Sequence, residues 1–270
     1  MKITEVETIP LAVEQINPDD CDGQYNDFVV RIHTDTGHTG IGESDTPPLV
    51  SAAFLNSPSE HIWSQNLCEL IVGEDPLETE RLWEKMYNGA IYNTRRGLPL
   101  CVMSAVDNAL HDVAAKGLGV PVYKLLGGAK RSKVTPYCSI MQGTSQGRSW
   151  TQLQDITYEA LAKGIESGYR AFKIQALFYE TCTDRELAEL MHRCREMVGT
   201  DKDLMLDVGY RWRHASDAIR AMRRMEQEEL FFVETPIHTD NIDGYAKLAA
   251  AIDYDYYYYY YYYYYYYYYY

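Results

Sequence analysis

Residues 170–175 read RAFKIQ, residues 204–208 read LMLDV and residues 230–234 read LFFVE. Each stretch is short and mostly apolar, as residues 134–140 are, and each is followed by a pattern with helical spacing. Repeated strand–helix units predict a parallel sheet, which is either an open doubly wound sheet or a barrel. The helices predicted between and after these strands cover residues 150–167, 184–198, 215–229 and 241–252.

Side-chain alternation gives three consecutive strands a polar residue on the same face. Successive side chains of a strand point to opposite faces, so Lys173 and Gln175 lie opposite the apolar side chains of their strand, as Asp207 and Glu234 do in theirs. Active-site groups collect at the carboxyl ends of strands in barrels and in open sheets. We therefore predict that Lys173, Asp207 and Glu234 lie in one pocket. The nearest pattern to a dinucleotide-binding motif, residues 37–42, has the wrong glycine spacing and lies in a predicted hairpin.

Residues 1–130 predict a separate α+β domain. An antiparallel meander opens it, and the pattern then changes to helical spacing, with Gly117 expected to end the last helix. The predicted strands cover residues 3–9, 27–34 and 39–43, and the predicted helices cover residues 58–72, 76–87 and 98–116.

Composition and charge narrow the classes of function. The 270 residues carry a formal net charge of −14, which argues against a nucleic-acid or anionic-membrane partner because either needs a basic surface. An anionic substrate remains compatible, since one divalent cation in a pocket outweighs a distant surface field. The six cysteines form no C-x-x-C pair, the N-terminal residues show no signal-peptide pattern, and no window is apolar enough to span a membrane. We therefore expect reduced thiols and a cytoplasmic location.

Residues 256–270 are all tyrosine. Such a run has no hydrophobic period and no turn residues, so it specifies no strand register. We interpret residues 253–270 as an artefact or a placeholder and leave them out of the fold prediction.

Residues 102–117, VMSAVDNALHDVAAKG, and residues 121–128, PVYKLLGG, resemble the N-terminal domain of the mandelate racemase and muconate lactonizing enzyme family, within the enolase superfamily. The stretch GIGE at residues 40–43 resembles a strand end of the same domain. The resemblance implies an α/β protein with an α+β capping domain over residues 1–130. A (β/α) barrel of the TIM type follows, and about its first half is encoded by residues 131–252.

The resemblance also implies a Mg²⁺ site with Asp207 and Glu234 as ligands. Enzymes of this kind remove the proton α to a carboxylate, and the cation stabilises the resulting enediolate. Lys173 and Gln175 fall on the family's catalytic motif of the second barrel strand, where Lys173 would neutralise the substrate carboxylate. The third acidic ligand and the Asp/His dyad of the family belong to later strands, and no residue of this sequence takes those roles.

Gln175 is a departure from the family pattern. Glutamine cannot accept a proton at neutral pH, so racemisation with two bases is disfavoured and dehydration of a sugar acid is favoured. Arg211 or Arg213, which follow Asp207 on a loop, could pair with the carboxylate of such a substrate. Tyr25 could face the substrate from the capping domain, although an ordinary surface loop explains it equally well. His214 is interpreted as the residue at which a helix starts.

Three hypotheses about function remain open. The first is a Mg²⁺-dependent carbon–oxygen lyase that dehydrates a small sugar acid and forms a homo-oligomer, with a racemase or epimerase as its close variant. The second is an inert enolase-like scaffold with a binding or regulatory role, which Gln175 favours. The third, compatible with the first, is that the chain is incomplete. On that interpretation it is expected to be inactive and to associate through open strand edges and its tyrosine tail.

Overall fold

A computed structural model describes residues 1–13, 26–178 and 180–252, together with the backbone of residues 255–257. The chain divides into two compact units, of which the first extends to Ser132 and the second continues from Lys133. Each unit has its own core of buried apolar side chains.

An antiparallel sheet of three strands opens the first unit, in the order β1 (Ile3–Leu11), β2 (Asp27–Thr34) and β3 (Thr39–Ser44). Gly37 adopts a φ of +80° in the turn between β2 and β3, a conformation that glycine reaches without a steric cost. Alternate residues of β2 are buried, because one face of the sheet packs on the core. The meander expected from the sequence is confirmed.

Five helices follow the sheet, and one predicted helix is wrong over most of its length. Of residues 58–72, only the last part is helical, because Asn66 starts a new helix there. Its side chain accepts a hydrogen bond from the backbone N–H of Glu69, and its amide donates to the carbonyl of Leu55. The helices are α1 (Pro48–Asn56), which the sequence analysis missed, α2 (Leu67–Ile71), α3 (Thr79–Gly89), α4 (Leu98–Leu118) and α5 (Val122–Leu125).

Two helix ends differ from their predicted positions for local reasons. Helix α3 begins three residues later than expected, because the side chain of Asp75 accepts a hydrogen bond from the backbone N–H of Leu77 and holds a turn there. Helix α4 continues through Gly117 to Leu118, and its C-cap is Gly119, which adopts a φ of +69°. The left-handed conformation at Gly119 is the usual helix-ending geometry for glycine.

Helix α4 packs so closely on β3 that the strand requires glycine at two positions. A Cβ atom added to Gly42 would lie 2.0 Å from the carbonyl oxygen of Ala105, and one added to Gly40 would lie 2.1 Å from that of Ala109. Backbone atoms cannot move aside as a flexible side chain can, so an added Cβ atom would force the strand and the helix apart. We expect Gly42→Ala to lower the free energy of unfolding by about 2–3 kcal/mol, measured by urea denaturation.

The matched control for this variant is Ile41→Ala, on the same strand. The side chain of Ile41 is 49% exposed, so its truncation is expected to change the free energy of unfolding by less than about 1 kcal/mol. Equal unfolding midpoints for Gly42→Ala and Ile41→Ala would contradict the packing argument.

The second unit contains a parallel sheet of five strands in the order β4–β5–β6–β7–β8. The parallel sheet of alternating strands and helices predicted from the sequence is confirmed. The strands are β4 (Cys138–Ile140), β5 (Ala171–Gln175), β6 (Asp203–Asp207), β7 (Phe232–Glu234) and β8 (Asp255–Tyr257). The helices are α6 (Trp150–Glu166), α7 (Asp184–Val198), α8 (Ala215–Met222), a 3₁₀ helix (Arg223–Glu228) and α9 (Ile242–Ala251).

Three expectations for this unit need correction. The first strand is shorter than predicted and covers Cys138–Ile140. The helix predicted over residues 215–229 changes after Met222 to a 3₁₀ helix, which ends at Glu228 and is capped by Glu229 with a φ of +45°. Strand β8 forms within residues 253–270, which were left out of the fold prediction, and it pairs with β7. The fourth strand is therefore covered and is not the open edge that the sequence suggested.

The two faces of the parallel sheet bury different side chains. Phe172, Ile174 and Leu206 belong to the large core that the helices of this unit cover. Ala171, Met205 and Phe232 form a separate small cluster of buried side chains, and they occupy the alternate positions of β5, β6 and β7. Because Lys173, Asp207 and Glu234 have the same phase as this second set, they point to the face opposite the helices.

Two further properties concern membrane-spanning helices and the reactivity of the cysteines. Within the described residues, no helix is long and apolar enough to cross a membrane. Burial raises the pKa of the Cys194 thiol to about 12, so this cysteine is chemically inert in the folded protein. Cys21 lies outside the described residues, and the free thiols are Cys68, Cys101, Cys138, Cys182 and Cys194.

Candidate active site

Three polar side chains form a row at the carboxyl ends of adjacent parallel strands. Gln175 is the register partner of Asp207, and Asp207 is the register partner of Glu234. Lys173 lies two residues before Gln175 on the same face of β5 and is the register partner of Met205. All four polar residues are buried, so the carboxylates interact in a medium that screens charge less than water does.

The ammonium group of Lys173 lies between the two carboxylates. Its Nζ atom donates a hydrogen bond to Oε2 of Glu234 at 2.7 Å and lies 3.7 Å from Oδ2 of Asp207. Burial disfavours the charged amine, but the hydrogen bond to Glu234 and the fields of both carboxylates outweigh it, so the pKa of Lys173 is raised above its ordinary value. The structure thus brings together the three residues that the sequence placed in one pocket.

The loops that follow β6 and β7 continue the pairing of these strands. The backbone N–H of Tyr210 donates to the carbonyl of Thr235 at 2.6 Å, and that of Trp212 donates to the carbonyl of Pro236 at 3.0 Å. Tyr210 and Thr235 have φ angles of +68° and +44°, which are uncommon for residues other than glycine. Strained backbone of this kind is concentrated at functional sites. Here it directly follows the strand ends that carry Asp207 and Glu234.

Tyr137 is a site residue that sequence reasoning missed. Lys173 Nζ lies 5.4 Å from the centroid of its ring, within the range of a cation–π contact. Tyr137 stands immediately before β4, and only the pairing of β4 with β5 reveals that its ring reaches Lys173. The sequence contained no signal for this contact, since it depends on the register between two strands.

The residues predicted to bind substrate differ in their exposure to solvent. The side chain of Arg211 is only 6% exposed, with its Nε atom 3.0 Å from Oδ1 of Asp184, whereas Arg213 is exposed on the same loop. Tyr25 lies outside the described residues. The substrate-binding roles of these residues stay predictions. His214 is the N-cap of α8, as its interpretation as a helix-start residue required.

Asp207 and Glu234 fit a magnesium ion as two of its ligands. Mg²⁺ prefers hard oxygen ligands in an octahedral shell and usually keeps several waters, and adjacent register positions present both carboxylates at one point of the sheet. The Lys173 ammonium already contacts both, which shows that this point favours positive charge. Over residues 1–13, 26–178 and 180–252, no three His, Cys, Asp or Glu side chains converge to hold a metal. Further ligands would come from water, substrate or other parts of the protein.

An α+β unit followed by a parallel strand–helix unit, with Lys, Asp and Glu at three successive strand ends, defines a class of protein. Proteins of this class have the α/β fold of the enolase superfamily, with an N-terminal capping domain and a barrel-type C-terminal domain. The chain matches the model of the N-terminal domain of mandelate racemase and muconate lactonizing enzyme over residues 23–127, and that of the enolase C-terminal domain-like family over residues 157–255. The chain belongs to the mandelate racemase and muconate lactonizing enzyme family.

Relatives with assigned activities include dehydratases and racemases. The chain is 30% identical to arabinonate dehydratase of Saccharolobus solfataricus over 83% of its own length and 56% of that protein. It is 27% identical to the N-succinyl-L-Arg/Lys racemase of Bacillus cereus, over 94% of its own length and 64% of that protein. The chain therefore spans less than two thirds of these curated relatives.

A solved structure supports the same fold. The crystal structure of a candidate racemase superimposes with a TM-score of 0.83 at 29% identity, covering 94% of this chain and 64% of that one. Members of the superfamily generally use Mg²⁺, and the adjacent carboxylates of Asp207 and Glu234 have the oxygen chemistry that this ion prefers.

Proposed function

We propose that the whole protein removes the proton α to the carboxylate of a sugar acid and expels the β-hydroxyl group, as a Mg²⁺-dependent acid-sugar dehydratase. The observation that carries this proposal is the buried group of Lys173, Asp207 and Glu234 at adjacent strand ends. Bound Mg²⁺ would offset the negative charge that grows on the substrate carboxylate as the proton leaves. Asp207 and Glu234 would hold the ion, and Lys173 would offer a second positive charge to the same carboxylate.

The proposed reaction is a balanced elimination. The electron pair of the α C–H bond forms a carbon–carbon double bond, while the C–O bond to the β-hydroxyl breaks and that oxygen leaves as water after taking up a proton. The enol then becomes a 2-keto-3-deoxy acid. Gln175 cannot accept the α proton, so the general base is supplied by another part of the whole protein.

The nature of residue 175 favours dehydration over racemisation. A racemase with two bases needs a proton acceptor on each face of the substrate, and β5 presents the buried amide of Gln175 where one of them would stand. Because one of the relatives is a racemase, epimerisation with a single base is an alternative reaction for this protein. The same glutamine also supports the second candidate, an enolase-like scaffold that binds ligands without turning them over.

One experiment separates these possibilities. The protein would be incubated with Mg²⁺ and a panel of aldonic and aldaric acids in D₂O. Proton NMR would follow loss of the α-proton signal, and a semicarbazide assay would detect 2-keto acids. A dehydratase gives both signals for at least one acid, and an epimerase gives deuterium exchange without keto acid. Tight binding of an acid with neither signal would reject the proposed enzyme in favour of the scaffold.

We further propose that the protein is a cytoplasmic homo-oligomer. Symmetric homo-oligomers are the commonest assemblies of soluble proteins, and the net charge of −14 argues against nucleic-acid and anionic-membrane partners. Size-exclusion chromatography with light scattering is expected to give a mass of at least two protomers. A monomer at all concentrations would contradict this proposal.

A further inference from the structure

Arg211 is more deeply buried than a charged residue on a surface loop usually is. Its side chain is only 6% exposed, although it lies between β6 and α8, four residues after Asp207. Arginine is seldom buried unless it is paired. Its partners therefore indicate what the protein gains from this position.

The side-chain hydrogen bonds of Arg211 all run to the segment where the loop after β5 meets the start of α7. The Nε atom donates to Oδ1 of Asp184 at 3.0 Å, and the Nη2 atom donates to the carbonyl of Cys182 at 2.7 Å. Trp212 adds a third bond, since its Nε1 atom donates to the same Asp184 oxygen at 3.1 Å. Asp184 is fixed in turn, because it is the first residue of α7, where Thr183 and Glu186 form a capping box. We call these three bonds from Arg211 and Trp212 to Cys182 and Asp184 the arginine clamp.

Stability alone does not explain the arginine clamp. The third guanidinium nitrogen, Nη1, is buried and meets no hydrogen-bond partner among the described residues, and a buried donor without a partner is destabilising. An apolar side chain of similar size would fill the space without this cost. A planar guanidinium, unlike an apolar side chain, fixes the orientation of the groups that it bonds, because its N–H donors have a rigid geometry.

The segment that the clamp fixes is the turn that presents Asp207. All four backbone N–H groups from Gly209 to Trp212 donate hydrogen bonds. That of Gly209 donates to Oδ1 of Asp207 at 3.1 Å, and that of Arg211 donates to the carbonyl of Val208 at 3.1 Å. The turn contains Tyr210 in a left-handed conformation, which persists only when its surroundings enforce it. The arginine clamp is the side-chain anchor at the far end of this turn.

We propose that Arg211 is a positioning residue whose clamp onto Asp184 and the Cys182 carbonyl fixes the 208–212 turn, and thereby the orientation in which Asp207 meets a divalent cation. The inference rests on the proposed function in so far as Asp207 is a metal ligand. It gives Arg211 a role different from the substrate contact suggested by the sequence. Its Nη1 atom is shielded from solvent, whereas Arg213 on the same loop is exposed and accessible to a ligand.

The test compares Arg211→Met, Asp184→Asn and the double variant with a matched control pair. Asp217 and Arg220 form a comparable ion pair of 2.6 Å on α8, but it is exposed to solvent; Asp217→Asn and Arg220→Gln are therefore the controls. The first measurement is hydrogen–deuterium exchange of the amides of residues 209–212 without metal. The second is the dissociation constant of Mg²⁺ alone, measured by isothermal titration calorimetry.

Loss of the clamp is expected to accelerate exchange in residues 209–212 by at least about tenfold, and to weaken Mg²⁺ binding about tenfold, the scale on which residues that orient metal ligands act. The double variant is expected to match Arg211→Met, because both changes break one interaction. Arg211→Lys should restore protection only in part, since a single ammonium group cannot serve both partners. Asp184→Asn keeps an acceptor oxygen and guards against the case in which Arg211→Met does not fold.

Two results would overturn the inference. One is unchanged amide protection and Mg²⁺ affinity in Asp184→Asn and Arg211→Met. The other is a loss of protection that spreads evenly over the second unit, as expected for a purely structural residue. The exchange measurement needs neither metal nor substrate, so it decides the role of the clamp even if the protein fails to dehydrate any sugar acid. Mg²⁺ binding without turnover would count against the proposed function alone.

Discussion

Asp207→Asn is expected to abolish Mg²⁺-dependent turnover of the whole protein and to leave its fold intact. An amide in place of the carboxylate removes one of the two negative charges that would bind the divalent ion. Changes to residues that merely orient metal ligands cost about 10–100-fold in affinity, so loss of a ligand should weaken Mg²⁺ binding by at least about 100-fold. Isothermal titration calorimetry measures the affinity, and α-proton exchange in D₂O measures the turnover.

The stability of this variant is expected to change little, for a reason visible in the contacts of Asp207. Lys173 makes its hydrogen bond to Glu234 at 2.7 Å and stands 3.7 Å from Asp207, so the shorter ion pair survives the substitution. The new asparagine oxygen can still accept the hydrogen bond from the Gly209 N–H. Far-UV circular dichroism and thermal unfolding should therefore match those of the parent protein.

The control for Asp207→Asn lies on the same strand. Asp203 begins β6 and is exposed, so Asp203→Asn removes the same charge without touching the site. It is expected to leave both Mg²⁺ affinity and turnover within about twofold of the parent, as surface substitutions usually do. Unchanged Mg²⁺ affinity in Asp207→Asn would rule out the assignment of this residue as a ligand.

The alternation of side chains along β5 and β6 was enough to predict which residues share a face. Lys173 and Asp207 stand out there because a strand has a period of two residues, so one polar residue among apolar neighbours fixes the orientation of the whole strand. The predicted helix over residues 184–198 likewise matches α7, which Thr183 and Gly199 cap. Neighbouring residues along the chain determine such features, so they can be predicted from the sequence.

Features that depend on register or on distant contacts could not be predicted in this way. The contact of Tyr137 with Lys173 arises from the pairing of β4 with β5, and the side chain of Arg211 becomes buried only because Asp184, at the start of α7, comes near it. Apolar spacing over residues 58–72 resembled a helix, but the bonds that Asn66 makes with Leu55 and Glu69 determine where the helix begins. Long-range hydrogen bonds of this kind leave no periodic signal in the sequence.

Lys173→Met is expected to change metal binding and turnover in opposite directions. The ammonium group is the cation that Asp207 and Glu234 share in the structure, so it repels a second cation at the same point. Methionine keeps a long unbranched side chain without the charge. Removal of a charge this close should tighten Mg²⁺ binding about tenfold or more, since unit charges 4 Å apart interact by about 4 kcal/mol at an effective dielectric constant of 20 and tenfold corresponds to about 1.4 kcal/mol.

Turnover should nevertheless fall to background in Lys173→Met. The ammonium is the charge proposed to neutralise the substrate carboxylate, and weak acidity of the α proton makes that neutralisation necessary. Without metal the variant should also be less stable by about 3–5 kcal/mol, because breaking a buried ion pair leaves an uncompensated charge. Addition of Mg²⁺ should restore much of this loss, which differential scanning calorimetry with and without the ion would show.

Two further variants separate charge from side-chain shape. Lys173→Arg keeps the positive charge beside Glu234 and is expected to bind Mg²⁺ as weakly as the parent protein. Lys163→Met changes an exposed lysine of α6 and should alter neither affinity nor stability. If Lys173→Met bound Mg²⁺ less tightly than the parent protein did, the ammonium group would stabilise metal binding instead of competing with the metal ion. The assignment of Asp207 and Glu234 as a cation-binding pair would then have to be replaced by one that includes Lys173 as a structural element.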